Sequence, residues 1–218
     1  MIIEDVFDYK VIRIQSTNEN LYRNEDLTKS VNHVLNMPTV KDRKRFDKGD
    51  SHKGSGFTSV GQPYLDLVYL PGSGDLTKWL TQQFLLIQKE FGFDGAIDVE
   101  YKRSWANRLF TGGQGLCHNH VKIDKYMEQM TDYSPANFKP DLVGIFYVDV
   151  PEGSSDLVFI RNGKDDTYID DYDNIDKRHL KPVQGELVIH SPEVWHAVSI
   201  HNSDLPRNVF VFDIDYCY

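Results

Sequence analysis

A mainly-β fold with flanking helices is predicted for this 218-residue chain, as an all-β barrel or a double-sheet jelly roll preceded by mixed α/β material. Three observations carry that prediction. Beyond Asp98 the sequence breaks into short segments rich in Val, Ile, Tyr and Phe, separated by frequent turn residues. Only one strong helical periodicity occurs, and it lies before Asp98. No internal repeat is apparent.

Taken in order, VFDYKVIRI within residues 1–15 reads as an opening strand, and the polar stretch 16–36 holds a short helix around Asn24 to Leu35. Residues 41–53, KDRKRFDKGDSHK, are too charged to bury much surface and read as a solvated loop. YLDLVYL at 64–70 alternates like a strand and ends in the turn signal PGSGD. Asp75 then caps a helix along which Leu76, Leu80, Phe84 and Ile87 recur at helical spacing, and Gly92 supplies its stop. The later strands are expected at Val99–Leu109, Val143–Val150, Asp156–Ile160, Leu187–His190, His196–Ile200 and Asn208–Ile214. These divide the chain into an N-terminal mixed α/β region, 1–98, packing on a β core, 99–218, with an insertion at 121–140. The segment 164–179 holds six aspartates without the spacing of a calcium loop and reads as solvated, with Tyr168 and Tyr172 placed to line an entrance.

Composition excludes several classes of function. Thirty-three acidic against 24 basic residues give a net charge of -9, so nonspecific attraction to nucleic acid or to an anionic membrane is not indicated. Cys117 and Cys217 are the only cysteines, which rules out a disulfide scaffold or a four-thiolate zinc site. Without a long apolar run, a secretory signal or membrane span is not expected, and the chain reads as a soluble cytoplasmic protein.

The chemistry concentrates in histidines. His118 and His120 follow the glycine-rich TGGQG, and on an extended strand residues two apart face the same way, so both imidazoles can reach one centre. His196, after a turn into and out of a strand, is the best third ligand. His190 competes for that role, but its apolar strand pattern points it into the fold or towards a polar neighbour. Cys117 is adjacent to His118 and therefore faces the opposite side, which argues against a thiol nucleophile. Trp105 and Trp195 read as packing residues, Trp195 also being placed to shield a centre at His196.

The ordered segments SWANRLF (104–110), HNH (118–120), GIFYVDVPEG (144–153), DLVF (156–159), PVQGELVIHSPEVWHAV (182–198) and LPRNVFVFDI (205–214) resemble the iron(II)- and 2-oxoglutarate-dependent oxygenase superfamily. The likeness is greatest to its bacterial and phage-type proteins with a His-x-His motif. It implies a double-stranded β-helix of jelly-roll, cupin-like kind and a dioxygenase that hydroxylates an unidentified substrate with molecular oxygen. It further implies iron(II) at His118 and His196, and Arg207 clamping the distal carboxylate of 2-oxoglutarate. By the same analogy Asn107 and Tyr147 line the cosubstrate pocket. The host would be a bacterial or phage-infected cell.

The chain departs from the superfamily pattern at two places. His120 stands where an aspartate or glutamate usually completes the metal triad, so His120 or Asp124 supplies the third ligand. Val209 replaces a hydroxyl residue two positions after the arginine. Two alternatives follow: a cupin-like three-histidine metal enzyme that does not use 2-oxoglutarate, and a noncatalytic β-barrel binding or virion-associated module.

Overall fold

Alternation of apolar residues builds two separate antiparallel sheets in the computed structural model, which describes residues 1–36, 56–58, 66–121, 139–164, 167, 169 and 175–218. The strands are β1 (Ile2–Val6), β2 (Tyr9–Gln15), β3 (Gly56–Thr58), β4 (Asp98–Leu109), β5 (Gly115–His118), β6 (Leu142–Asp149), β7 (Leu157–Ile160), β8 (Lys177–Leu180), β9 (Glu186–His190), β10 (His196–Val198) and β11 (Arg207–Cys217). A seven-stranded sheet runs β1-β2-β9-β6-β11-β4-β3, and a four-stranded sheet runs β5-β10-β7-β8.

The expectation of a closed double-stranded β-helix of jelly-roll or cupin-like kind is therefore corrected. Among the described residues no strand pairing joins one sheet to the other, and neither sheet closes on itself. The physical reason lies at the edges of the larger sheet. The β1–β2 hairpin pairs onto β9, and β3 pairs onto β4, so N-terminal strands occupy both flanks where closure would require the smaller sheet. Short alternating segments specify strands, but not which distant strand they pair with.

The outer face of the seven-stranded sheet is covered by α1 (Glu25–Leu35) and α2 (Gly74–Ile87). Leu76, Leu80, Phe84 and Ile87 are fully buried and share a cluster with Phe146, Phe210, Phe212 and Ile214. Each such side chain contributes about 1.5–3 kcal/mol when removed from water. Helix and sheet approach closely at Gly144, where an added Cβ would lie 2.7 Å from the Phe84 ring. A 3-10 turn, Gln88–Phe91, extends α2 before Gly92 stops it at φ 86, a left-handed conformation that glycine adopts without a Cβ clash. The helix begins after Ser73 rather than Asp75, whose carboxylate sits in the first turn and favours the helix dipole. Asn24 caps α1, its Oδ1 accepting from the backbone N–H groups of Asp26 and Leu27.

The opposite face of the same strands packs on the four-stranded sheet. Trp105, Val143, Ile145, Tyr147, Val188, Val209 and Val211 meet Leu157 and Phe159 there. Strand alternation thus assigns Phe210 and Phe212 of β11 to the helices and Val209 and Val211 to the second sheet.

Other local differences from expectation have identifiable causes. The N-terminal strand is a hairpin, with Phe7 turning the chain at φ 58. The described part of 64–70 is not a strand but contains a 3-10 turn, Leu67–Tyr69, where Asp66 accepts a 2.7 Å bond from the Ser104 backbone N–H and Leu67 enters the core. Lys177–Leu180, within and just beyond the aspartate-rich segment, pairs with β7 as a strand. Residues 41–53, most of the insertion 121–140, Asp124, Tyr168 and Tyr172 lie outside the described residues. Among the described residues no helix is long and apolar enough to cross a membrane.

Candidate metal centre

The two central histidines are brought together by strand pairing. His196 on β10 lies directly opposite His118 on β5, with ring centroids 4.4 Å apart. His120 follows in the bend after β5, held by a 2.9 Å bond from its backbone N–H to the Pro192 carbonyl. One potential ligand atom from each of His118, His120 and His196 falls within 4.8 Å of the others. His120 and His196 are buried and His118 is exposed, so one side of the cluster faces the surface.

All three rings are held through Nδ1. His118 Nδ1 donates to the Leu116 carbonyl at 2.9 Å and His196 Nδ1 to the Val194 carbonyl at 3.0 Å. His120 Nδ1 instead donates to Oδ1 of Asp213 at 2.7 Å. A neutral imidazole that donates from Nδ1 keeps its lone pair on Nε2, the form a metal ligand requires. Burial, followed by the neighbouring histidines, pushes the His196 pKa well below its ordinary 6.5, which favours the neutral ring. The donor set therefore fits a first-row divalent metal suited to nitrogen ligands.

Asp213 was not among the residues singled out from the sequence. It lies on β11 opposite Arg103, is fully buried, and its Oδ2 accepts from Arg103 Nε at 2.8 Å. Burial alone would raise its pKa, but the charge of Arg103 and the contact from His120 outweigh that and hold it at about 2. Trp105 stacks on His120 with centroids 5.8 Å apart, and the Arg103 guanidinium lies 5.3 Å from the Trp105 ring. Its sequence signal was an acidic residue next in alternation after Val209 and Val211, both of which are core.

His190 is nearer than its apolar strand suggested. It is fully buried, 4.9 Å from His196 between ring centroids, and donates from Nδ1 to the Ser191 carbonyl at 2.8 Å. Its Nε2 has no hydrogen-bond partner. Burial pushes its pKa down to about 4, with His120 adding to that effect.

Arg207, Asn107 and Tyr147 also face the space between the sheets or border it. Arg207 is buried at the start of β11, its guanidinium 5.1 Å from the centroid of the Tyr147 ring. Its Nε has no hydrogen-bond partner, and the nearby Tyr147 hydroxyl makes no hydrogen bond of good geometry. Burial lowers the Arg207 pKa and raises that of Tyr147 to about 12. Asn107 pairs with Val209 across β4 and β11, and its buried Oδ1 is likewise unpartnered. Cys117 and Trp195 pack together in a different cluster, with Val158 and Ala197, so Trp195 faces away from the histidine rings.

No protein-family model matches the sequence, and no curated protein matches it. Solved structures do match its fold. A prolyl-4-hydroxylase from Pseudomonas putida aligns over 95% of this chain and 94% of its own, with a TM-score of 0.57 and 12% identity. HygX from Streptomyces hygroscopicus, solved with nickel, 2-oxoglutarate and hygromycin B, aligns over 94% of this chain and 82% of its own, with a TM-score of 0.52 and 8% identity. An oxidoreductase of the 2OG-Fe(II) oxygenase family from Burkholderia pseudomallei overlaps 69% of this chain at a TM-score of 0.46 and 15% identity, and this chain spans only 59% of its length. In fold, this chain is similar to the Pseudomonas putida prolyl-4-hydroxylase and to HygX, and between its sheets it carries a cluster of three histidines.

Proposed function

We propose that this protein is a metal-dependent enzyme whose centre is held by His118, His120 and His196 without a carboxylate ligand, acting on an unidentified substrate. The observation that carries this reading is the cluster itself: one possible ligand atom from each of the three histidines lies within 4.8 Å of the others, on rings anchored through Nδ1. A bound iron(II) or related ion would supply Lewis-acid or redox chemistry, including reaction with molecular oxygen. The chain itself contributes orientation and dryness. Trp105 covers one face of His120, and Phe159 lies 5.9 Å from His190 on the buried side. Substrate approaches from the side of the exposed His118.

A second reading adds 2-oxoglutarate as cosubstrate, and Arg207 is the observation that favours it. A buried guanidinium with an unpartnered Nε is suited to bind an anionic carboxylate, and Tyr147 and Asn107 offer further polar atoms in the same region. One anaerobic experiment separates the readings. Iron(II) is titrated into the protein and into His196→Ala, then 2-oxoglutarate is added to wild type and Arg207→Ala. Metal binding that needs His196, with no spectral response to 2-oxoglutarate, supports the first reading. A charge-transfer band lost in Arg207→Ala replaces it with the second. Folded wild type that binds no metal refutes both and leaves a noncatalytic binding module.

A further inference from the structure

We infer that Asp213 is a positioning residue for the metal centre, supplying through His120 the carboxylate charge that a His-x-acid site carries as a direct ligand. This rests on the three-histidine reading of the site. The chain has His120 where the related pattern places an acid, which makes three neutral imidazoles one unit more positive than two imidazoles and a carboxylate. A carboxylate is nevertheless present one bond further out. Of the three clustered histidines, only His120 hands its Nδ1 proton to a carboxylate, at 2.7 Å, while the other two use backbone carbonyls two residues earlier.

The surroundings are built to hold that contact. Asp213 is fully buried, so its charge acts on His120 with little screening by water. Arg103 engages the other carboxylate oxygen from Nε at 2.8 Å, while its own side chain remains 16% exposed. Trp105, between Arg103 and His120, fixes the ring plane by stacking at 21°. The β4–β11 register shifts between Asp213 and Ile214, a bulge of the kind that re-aims a side chain beside a site. Hydrogen bonding of this sort fixes the tautomer and raises the basicity of the metal-binding nitrogen. A salt bridge serving the sheet alone would not require the third contact to His120.

The test is a competition titration of cobalt(II) on the full chain, with stability measured in the same samples. Asp213→Asn can still accept from Nδ1 but lacks the charge, and should weaken cobalt affinity by about 10- to 100-fold and shift the visible ligand-field bands. Because Arg103 would then lack its counter-charge, the Arg103→Met/Asp213→Asn double variant is measured beside it and should show the same loss. Glu186→Gln, which breaks the half-buried Arg13–Glu186 pair outside the histidine cluster, should lower stability without moving cobalt affinity. Cobalt affinity within about twofold of wild type in the folded Asp213 variants would overturn the inference. Failure of wild type to bind cobalt would instead overturn the metal reading beneath it.

Discussion

Acidification from pH 6.5 to pH 4 should destabilise the metal-free protein through His190. In the unfolded chain this imidazole takes up a proton near its ordinary 6.5, whereas burial in the fold holds it neutral down to about 4. The unfolded state therefore binds more protons throughout that window, and stability falls as pH falls. Each pH step costs about 1.4 kcal/mol, so the loss approaches 3 kcal/mol at pH 4. His196, also pushed down by burial, adds a loss of the same sign. The perturbation is His190→Phe, which removes the titrating ring and its unpartnered Nε2 while keeping an aromatic shape. Urea unfolding in the presence of chelator, at steps between pH 7 and 4.5, should show a shallower decline for the variant. Asp213, held at about 2, titrates below this range, and other groups largely cancel in the comparison. Equal slopes in the two proteins would refute the assigned burial of a neutral His190.

Three further outcomes follow from the same structure. His196→Ala should abolish the rise in melting temperature on adding metal, which for wild type at a hundredfold excess over Kd corresponds to about 2.7 kcal/mol; an unchanged rise would remove His196 from the ligand set. Arg207→Met should leave cobalt affinity within about twofold and should not lower unfolding stability, because the buried guanidinium Nε has no partner to lose; urea denaturation tests this. Gly144→Ala forces a Cβ towards the Phe84 ring and should cost about 1–3 kcal/mol, read as a lower melting temperature with metal binding retained.

Much of the local structure was legible because it follows from periodicity. The strand carrying Tyr147, the strand ending at His190 and the buried stripe of α2 are recoverable from spacing. His118 and His120 do join one cluster, but β5 ends at His118 and His120 lies in the bend beyond it, so their convergence depends on the turn held at Pro192 and not on strand alternation. The hairpin at Phe7 and the turn at Leu67 were less accessible, since alternation alone does not reveal a reversal or a residue dipping into the core.

The sequence by itself supplied the candidate groups: three histidines, an arginine beyond them, few cysteines and an acidic balance. Sheet closure was decided by tertiary pairing, because the N-terminal strands claim the edges of the seven-stranded sheet. Tertiary pairing also placed Asp213 against His120, across 93 residues of chain. It set His190 beside His196 as well, although one reads as strand interior and the other as turn exit. Such partners are invisible to local pattern because a buried carboxylate or imidazole takes its role from what the fold brings to it, and that contact is nonlocal.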